Sequence, residues 1–154
     1  MSPELLAPDQ FGFKDSRPTK ESDCYALGMV ILEVLGDRVP FAPLGGFTVI
    51  CKVVEGEHPE RPEGVEGTWF TDDLWQTLNL CWATRPESRP TIGAVLEFLE
   101  RVSRAWKPPS SRVDEDVEMD EDGDLPWDPS RKPSWLNPFH FVASLRGILH
   151  WFCL

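Results

Sequence analysis

The cysteines and histidines of this chain are its strongest candidates for metal binding or nucleophilic catalysis. The four cysteines lie far apart along the 154 residues, and no Cys-x-x-Cys pair or Cys/His cluster occurs, so the spacing indicates neither a zinc site nor a disulfide framework. No serine or cysteine elbow lies near the scattered histidines. We therefore expect reduced cysteines, no catalytic site and no metal site among Cys24, Cys51, Cys81, Cys153, His58, His140 and His150.

Phosphate chemistry would need a glycine-rich loop after a strand, and the glycine pair Gly45-Gly46 does not provide one. No strand pattern precedes this pair, and no Gly-x-Gly-x-x-Gly spacing follows it. Lys14, Lys20 and Lys52 also lack the strand context of a nucleotide-binding lysine. The sequence thus predicts no cofactor-binding residue and no small-molecule site.

The negative charge of the chain belongs largely to one segment. The formal charge is −11, but eight acidic residues lie in a run that contains no lysine or arginine. Without that run the formal charge would be −3, an ordinary value for a globular domain. A nucleic-acid partner is not expected, because such a partner needs a basic surface. The run consists of Asp114, Glu115, Asp116, Glu118, Asp120, Glu121, Asp122 and Asp124.

Residues 23–35 form the most apolar stretch and predict a buried helix. This stretch leaves almost no polar face, which is typical of a helix surrounded by other elements. Ser22 or Asp23 can cap its N-terminus, and Gly36 can end it. The preceding residues 1–23 are predicted to be loop, because prolines and glycine interrupt them without a sustained period.

Three further helices are predicted from residue spacing and capping residues. Residues 48–55 place apolar side chains on one side, namely Val49, Ile50, Val53 and Val54. Thr71 caps a helix that runs to Trp82. Thr91 caps a helix with one buried stripe that runs to Trp106, where Lys-Pro-Pro at residues 107–109 stops it.

The last third of the chain changes composition twice. Residues 107–136 are rich in Pro, Ser, Asp and Glu and predict a disordered linker, because they cannot bury enough apolar surface to become ordered. Residues 137–154 predict a short amphipathic helix that begins at Asn137-Pro138. This helix could have no role, fold back on apolar surface or lie on a membrane. The acidic linker disfavours a membrane role.

Three short motifs follow one another along residues 1–106. Residues 2–4 are Ser-Pro-Glu, residues 22–28 are Ser-Asp-Cys-Tyr-Ala-Leu-Gly, and residues 81–90 contain Cys-Trp, a proline and Arg-Pro. Their order and spacing resemble the second half of the C-lobe of a protein kinase, in the tyrosine-kinase-like branch. The resemblance implies an all-α fold: a partial C-lobe of about four helices over residues 1–106, then the linker at 107–136 and the helix at 137–154.

The resemblance also implies structural roles for four residues. Glu4 matches the glutamate that closes the activation segment, and Arg89 matches its ion-pair partner just before the last helix. Asp23 matches an aspartate that bonds the catalytic loop in the family; since this chain shows no such loop, only helix capping is expected of it. Trp82 matches a tryptophan of the core.

The catalytic parts of the resembled family do not occur in the sequence. Phosphoryl transfer by a kinase needs a Gly-rich loop, a strand lysine, a His-Arg-Asp loop and an Asp-Phe-Gly metal ligand, and none is present. We therefore expect no ATP or Mg²⁺ in this chain, although the parent family uses both. Two functions stay open: a fragment of a kinase that phosphorylates protein hydroxyls, or a non-catalytic module that binds protein partners.

The sequence also allows a prediction of the cellular compartment. No secretory signal is visible at residue 1, and no apolar run approaches the ~20 residues that span a bilayer. A cytoplasmic protein is therefore expected.

Overall fold

The structure, a computed structural model, describes residues 1–63 and 70–105. Within these ranges it contains five α-helices and two short 3-10 helices and no β-strand. The α-helices are α1 (Pro3–Leu6), α2 (Lys20–Gly36), α3 (Gly46–Val54), α4 (Asp72–Cys81) and α5 (Ile92–Ala105), and the 3-10 helices are Pro8–Phe11 and Pro86–Ser88. The predicted all-α fold is confirmed. About four helices were expected, and the additional one is the single turn α1, which lies in a stretch predicted to be loop.

Helix α2 begins earlier than predicted because a different residue caps it. The Thr19 hydroxyl accepts a hydrogen bond from the Ser22 backbone N–H at 3.2 Å, and the Ser22 hydroxyl oxygen accepts one from the Thr19 N–H at 2.9 Å. This reciprocal pair is a capping box, which satisfies two backbone donors that a helix start leaves free. The prediction of Ser22 or Asp23 as the cap was therefore wrong. The helix ends at Gly36, and Asp37 takes the left-handed conformation at φ 52°.

The core forms where α2 packs against α4. The buried side chains of α2 include Cys24, Leu27 and Ile31, and those of α4 include Leu74 and Leu78. The other side of α2 is not covered in the same way: Val30 keeps 43% of its surface exposed. The helix predicted to be buried all round is thus buried on one side.

Helix α3 differs most from its prediction. It begins at Gly46, two residues before the expected start, with Gly45 at the N-cap. Of its predicted apolar side only Val53 is buried, whereas Ile50 is 45% exposed. Phe47 at its first turn is 80% exposed. Helical spacing alone could not identify which apolar side chains face the core.

The two remaining helices match their predictions at the N-terminus. The Thr71 hydroxyl accepts a hydrogen bond from the Leu74 N–H at 3.3 Å at the start of α4. The Thr91 hydroxyl accepts one from the Ala94 N–H at 3.2 Å at the start of α5. Residues Met1–Val95 form one compact unit, and the rest of α5 belongs to a second. The predicted linker at 107–136 and the predicted helix at 137–154 lie outside the described residues, and the domain boundaries stay predictions.

Candidate functional site

A buried ion pair joins the start of the chain to the segment before α5. Arg89 donates from Nη1 to Glu4 Oε1 at 2.7 Å and from Nη2 to Glu4 Oε2 at 2.8 Å. This two-point geometry is the strong form of an arginine–carboxylate contact. Glu4 is 3% exposed and Arg89 is 7% exposed, so water screens the pair little. The ion pair expected between these residues is present.

Arg89 has an acceptor for every one of its N–H groups. Besides its two bonds to Glu4, it donates from Nε to the Ala83 carbonyl at 2.8 Å. It also donates from Nη1 to the Glu21 carbonyl at 2.9 Å and from Nη2 to the Thr84 carbonyl at 3.5 Å. A buried cation is costly unless it is paired and fully hydrogen-bonded, and here it is both. Arg89 thus holds together α1, the first turn of α2 and the loop after α4.

The surroundings of the pair keep the Glu4 carboxylate charged. Burial raises the pKa of the Glu4 carboxyl, but the hydrogen bonds and the charge of Arg89 outweigh burial and leave this pKa below its ordinary value of 4.5. The Arg89 guanidinium also lies 5.1 Å from the centre of the Tyr25 ring, in the range of a cation–π contact. Burial raises the pKa of the Tyr25 hydroxyl to about 12, so the ring stays neutral at ordinary pH.

The local sequence explains how Glu4 and Arg89 reach each other. Pro3 stands at the first helical position of α1, where its missing N–H costs nothing, and this single turn points Glu4 inward. On the other side, the 3-10 turn Pro86–Ser88 leads into Arg89 in an extended conformation. A four-residue helix is not stable alone. The ion pair and the packing of α1 against α3 therefore fix it in place.

Trp82 fills the centre of the core at the end of α4. It is 1% exposed and makes an edge contact with the Trp75 ring at 5.6 Å between ring centres. Its indole also lies against Gly28 of α2, where an added Cβ would be 2.6 Å from Trp82 Nε1. Glycine at this position is what lets the two helices approach so closely. These contacts support the core-packing role expected of Trp82.

Asp23 lies in the first turn of α2 and is exposed. The capping role expected of it belongs to Thr19, as described above. Its carboxylate can still favour the helix through the helix dipole. Among the four motif residues, the structure brings Glu4 and Arg89 into contact, buries Trp82 in the core and leaves Asp23 at the surface.

Comparison with known proteins decides the family. The family profile described as protein tyrosine and serine/threonine kinase matches residues 1–99, which hold all four motif residues. The chain belongs to the protein kinase family. The kinase fold explains why Glu4 and Arg89, 85 positions apart, occupy one buried site.

Several serine/threonine kinases are similar to this kinase chain. A probable LIM domain-containing serine/threonine-protein kinase of Dictyostelium discoideum is 25% identical over 105 residues, which cover 68% of the chain and 14% of that protein. The serine/threonine-protein kinase Nek9 of Xenopus laevis is 30% identical over 107 residues, 70% of the chain and 10% of that protein. An ankyrin repeat and protein kinase domain-containing protein of Mus musculus is 32% identical over 88 residues, 55% of the chain and 12% of that protein. The chain thus spans a small part of each of these relatives.

Two further observations concern metal binding and membrane spans in the described part of this kinase chain. Residues 1–63 and 70–105 hold no group of three His, Cys, Asp or Glu side chains that could bind a metal ion. The same residues contain no helix with the length and apolar character that a membrane span requires. That the chain binds no ATP or Mg²⁺ is still a prediction, and it rests on the missing kinase motifs.

The described cysteines of the kinase chain are free thiols, namely Cys24, Cys51 and Cys81. The hydrogen bond with Cys24, together with burial, raises the pKa of the Cys81 thiol. A buried thiol with a raised pKa is a poor nucleophile, because the thiolate is the reactive form. Cys81 is therefore a packing residue.

Two residues that matter in this kinase fold were missed by sequence reasoning. Thr19 was read as loop, although the Thr19-x-x-Ser22 spacing is a variant of the capping-box pattern and could have been found. His58 is one of the scattered histidines for which the sequence predicts no role. Its ring bonds Asn79 and the Trp82 carbonyl, 21 and 24 positions away, and no local signal predicts such contacts.

Proposed function

We propose that residues 1–106 provide the helical base of a protein kinase domain of the tyrosine-kinase-like branch, and that the chain does not transfer phosphate by itself. The observation that carries the proposal is the buried two-point ion pair of Glu4 and Arg89. In the resembled C-lobe this pair ties the end of the activation segment to the helices below it. The pair would position the loop on the substrate side of the domain. It would take no part in the phosphoryl-transfer step itself.

The missing parts support the second half of the proposal. Phosphoryl transfer depends on positioned phosphates, metal ions and a base, and the sequence offers no motif for any of them. The exposure of Asp23 also supports an inactive chain. The matching aspartate of the resembled family bonds the catalytic loop, and Asp23 has no such loop to bond. An exposed carboxylate at this position fits a chain that would receive the loop from elsewhere.

A complete protein built on this base would phosphorylate protein hydroxyl groups with ATP. The support is the family itself and the similarity to several serine/threonine-protein kinases. The choice between serine, threonine and tyrosine depends on residues that precede the matched segment in the resembled domain. The similar serine/threonine-protein kinases favour serine or threonine as the acceptor of the complete protein.

A phosphoryl-transfer assay tests the proposal. The purified 154-residue chain is incubated with radiolabelled ATP, Mg²⁺ and a general protein substrate, beside a complete kinase domain as a positive control. We expect no label on the substrate and none on the chain itself. Labelling that persists in the Arg89→Ala and Asp23→Asn variants would point to a contaminating kinase. Labelling lost in those variants would overturn the proposal.

A non-catalytic interaction module is the second candidate function. The observation that favours it is the apolar surface around α3, where Val39, Leu44, Phe47 and Ile50 are 61%, 42%, 80% and 45% exposed. Large exposed apolar surfaces often mark interaction sites. The genomic sequence upstream of the codon for Met1 separates the two candidates. An in-frame His-Arg-Asp and Asp-Phe-Gly there favours a catalytic parent, whereas a promoter directly upstream favours the module.

A further inference from the structure

Cys24 of α2 and Cys81, the last residue of α4, form a pair of buried thiols. Each of the two side chains is 0% exposed, and their sulfur atoms share a hydrogen bond. No sequence motif links the two residues, because they belong to different helices. The fold thus places side by side two nucleophilic groups that lie far apart along the chain.

The close approach of α2 and α4 supports this pairing independently of the hydrogen bond. A Cβ added to Gly28 would lie 2.9 Å from the Cys81 Cβ, so Cys81 lies directly against this side of α2. Cys24 stands one helical turn before Gly28, and residues four positions apart share a face of an α-helix. Cys24 and Cys81 therefore face each other across the helix contact. A disulfide requires such an approach, with about 3.5–4.5 Å between the two Cβ atoms.

The surroundings make Cys24 the more reactive thiol of the pair. Cys81 donates the hydrogen bond, which is the main reason that the pKa of the Cys24 thiol lies below its ordinary value of 9.0. Burial opposes this shift of the pKa, whereas the positive charge of Arg89 adds to it. The same hydrogen bond and burial raise the pKa of the Cys81 thiol. The thiolate is the form that attacks an oxidant, so we expect Cys24 to react first.

We propose that Cys24 and Cys81 are an oxidisable dithiol, which a peroxide converts into a disulfide that ties α2 to α4. The Cys24 thiolate attacks one oxygen of hydrogen peroxide and the O–O bond breaks, which gives a sulfenic acid. The hydroxide that leaves takes up the proton that Cys24 lost. The Cys81 sulfur then attacks the Cys24 sulfur, the S–O bond breaks, and the hydroxide leaves as water with the Cys81 proton. Two thiols lose two electrons, and one peroxide is reduced to two waters.

Oxidation of Cys24 also makes Cys81 more reactive. The pKa of the Cys81 thiol is raised first by the hydrogen bond with Cys24, then by burial and by the charge of Cys24. A sulfenic acid is neutral, so the negative charge of the Cys24 thiolate no longer acts on Cys81. Contact between the two groups also replaces a bimolecular encounter, which favours the second step. Cys81 is thus a packing residue in the reduced chain and the resolving thiol during oxidation.

Burial determines when the pair can react. Because both side chains are fully buried, the oxidant reaches them only when α2 and α4 separate locally. The disulfide would then close a loop between the two helices, which lowers the entropy of the unfolded chain and favours the folded one. Oxidation would therefore stabilise the packing of α2 on α4.

Peptide mapping of the 154-residue chain tests the pair directly. Cys51→Ser and Cys153→Ser are introduced together, so that the proposed pair is the only pair of cysteines left. After treatment with hydrogen peroxide, we expect a peptide in which Cys24 is linked to Cys81, with two hydrogen atoms lost, and dithiothreitol should separate it. Reduced thiols at both positions after prolonged treatment would overturn the proposal. Oxidation to sulfinic acid without a cross-link would do the same.

Two single variants of this two-cysteine chain test the order of the steps. Cys81→Ala removes the resolving thiol, so Cys24 should accumulate as the sulfenic acid and be labelled by dimedone. Cys24→Ala should leave Cys81 unlabelled under the same conditions. Urea denaturation verifies that each variant is folded. Equal labelling of the two variants would contradict the roles assigned to the two thiols.

A redox titration tests the pair without depending on access. The two-cysteine chain is brought to equilibrium with mixtures of reduced and oxidised glutathione, both folded in buffer and unfolded in urea. Because the fold holds the thiols in contact, the folded chain should form the disulfide at a ratio of oxidised to reduced glutathione lower by about tenfold or more. The oxidised chain should also unfold at a higher urea concentration than the reduced chain. Equal ratios for the folded and unfolded chains, or a higher ratio for the folded chain, would overturn the proposal.

Discussion

Arg89 holds Glu4 by two parallel hydrogen bonds of 2.7 and 2.8 Å, although the residues lie 85 positions apart in the sequence. The remaining N–H groups of Arg89 bond three backbone carbonyls from two other segments. One side chain thus connects α1, α2 and the end of α4. This connection explains why a single helical turn at the start of the chain is ordered at all.

Breaking the Glu4–Arg89 pair should strongly destabilise the chain. Glu4→Gln removes one charge and leaves the buried guanidinium without its counterion, which costs about 3–5 kcal/mol in the free energy of unfolding. Urea denaturation of the two single variants and the double variant with Arg89→Met measures the coupling. The matched control is Arg85→Gln, because Arg85 and Glu87 form an exposed pair and its loss should leave stability almost unchanged. Additive single effects would contradict the account.

The same pair predicts loss of stability in acid. The native pKa of Glu4 lies below its ordinary value of 4.5, so its contribution is present above that pH and is lost as pH falls through the lower native value. Urea midpoints measured downward from pH ~5 should fall more steeply in the wild type than in Glu4→Gln. A parallel decline in the two proteins would show that Glu4 does not titrate in this way.

Glycine at position 28 should be necessary for the packing of α2 on α4. In Gly28→Ala the new methyl group would lie 2.6 Å from Trp82 Nε1 and 2.9 Å from the Cys81 Cβ. Overpacking of this kind costs about 1–3 kcal/mol. The control is Gly93→Ala in α5, where the nearest atom is Thr91 Oγ1 at 3.9 Å and alanine should be tolerated or stabilising. Thermal unfolding measures both variants, and we expect a lower midpoint temperature for Gly28→Ala than for Gly93→Ala. Similar midpoints would contradict the close contact between Gly28 and Trp82.

The cap of α2 can be assigned by substitution. Thr19→Ala removes the side chain that accepts from the Ser22 N–H and should cost about 0.5–2 kcal/mol in the free energy of unfolding. Asp23→Ala should cost less, because the exposed carboxylate acts only through the helix dipole. The reverse order in urea denaturation would restore Asp23 as the cap.

The sequence predicted the parts of this structure that depend on local patterns or on motif order. Thr71 and Thr91 were identified as caps because each precedes an apolar period. The Glu4–Arg89 pair was predicted only through the order of the kinase motifs, since nothing in the separate segments links the two residues. Motif order thus supplied long-range information that composition and spacing did not contain.

The parts that were missed depend on tertiary contacts. Helix α1 is too short to show a period, and its order comes from the ion pair and from packing on α3. Spacing in α3 indicated an apolar side, but Ile50 and Phe47 of that helix are exposed while Val53 is buried. The contacts of His58 join residues more than 20 positions apart. No local pattern specifies which apolar or polar side chain meets a distant partner.

Calorimetric titration with Mg-ATP tests the central claim most directly. We propose that the chain has the helical base of a kinase domain but no residues that bind the nucleotide. Titration of the purified 154-residue chain should give only heats of dilution, whereas a complete kinase domain in the same buffer should give a saturable signal. Saturable binding of Mg-ATP by the chain, with a stoichiometry near one and retained after further purification, would contradict the account.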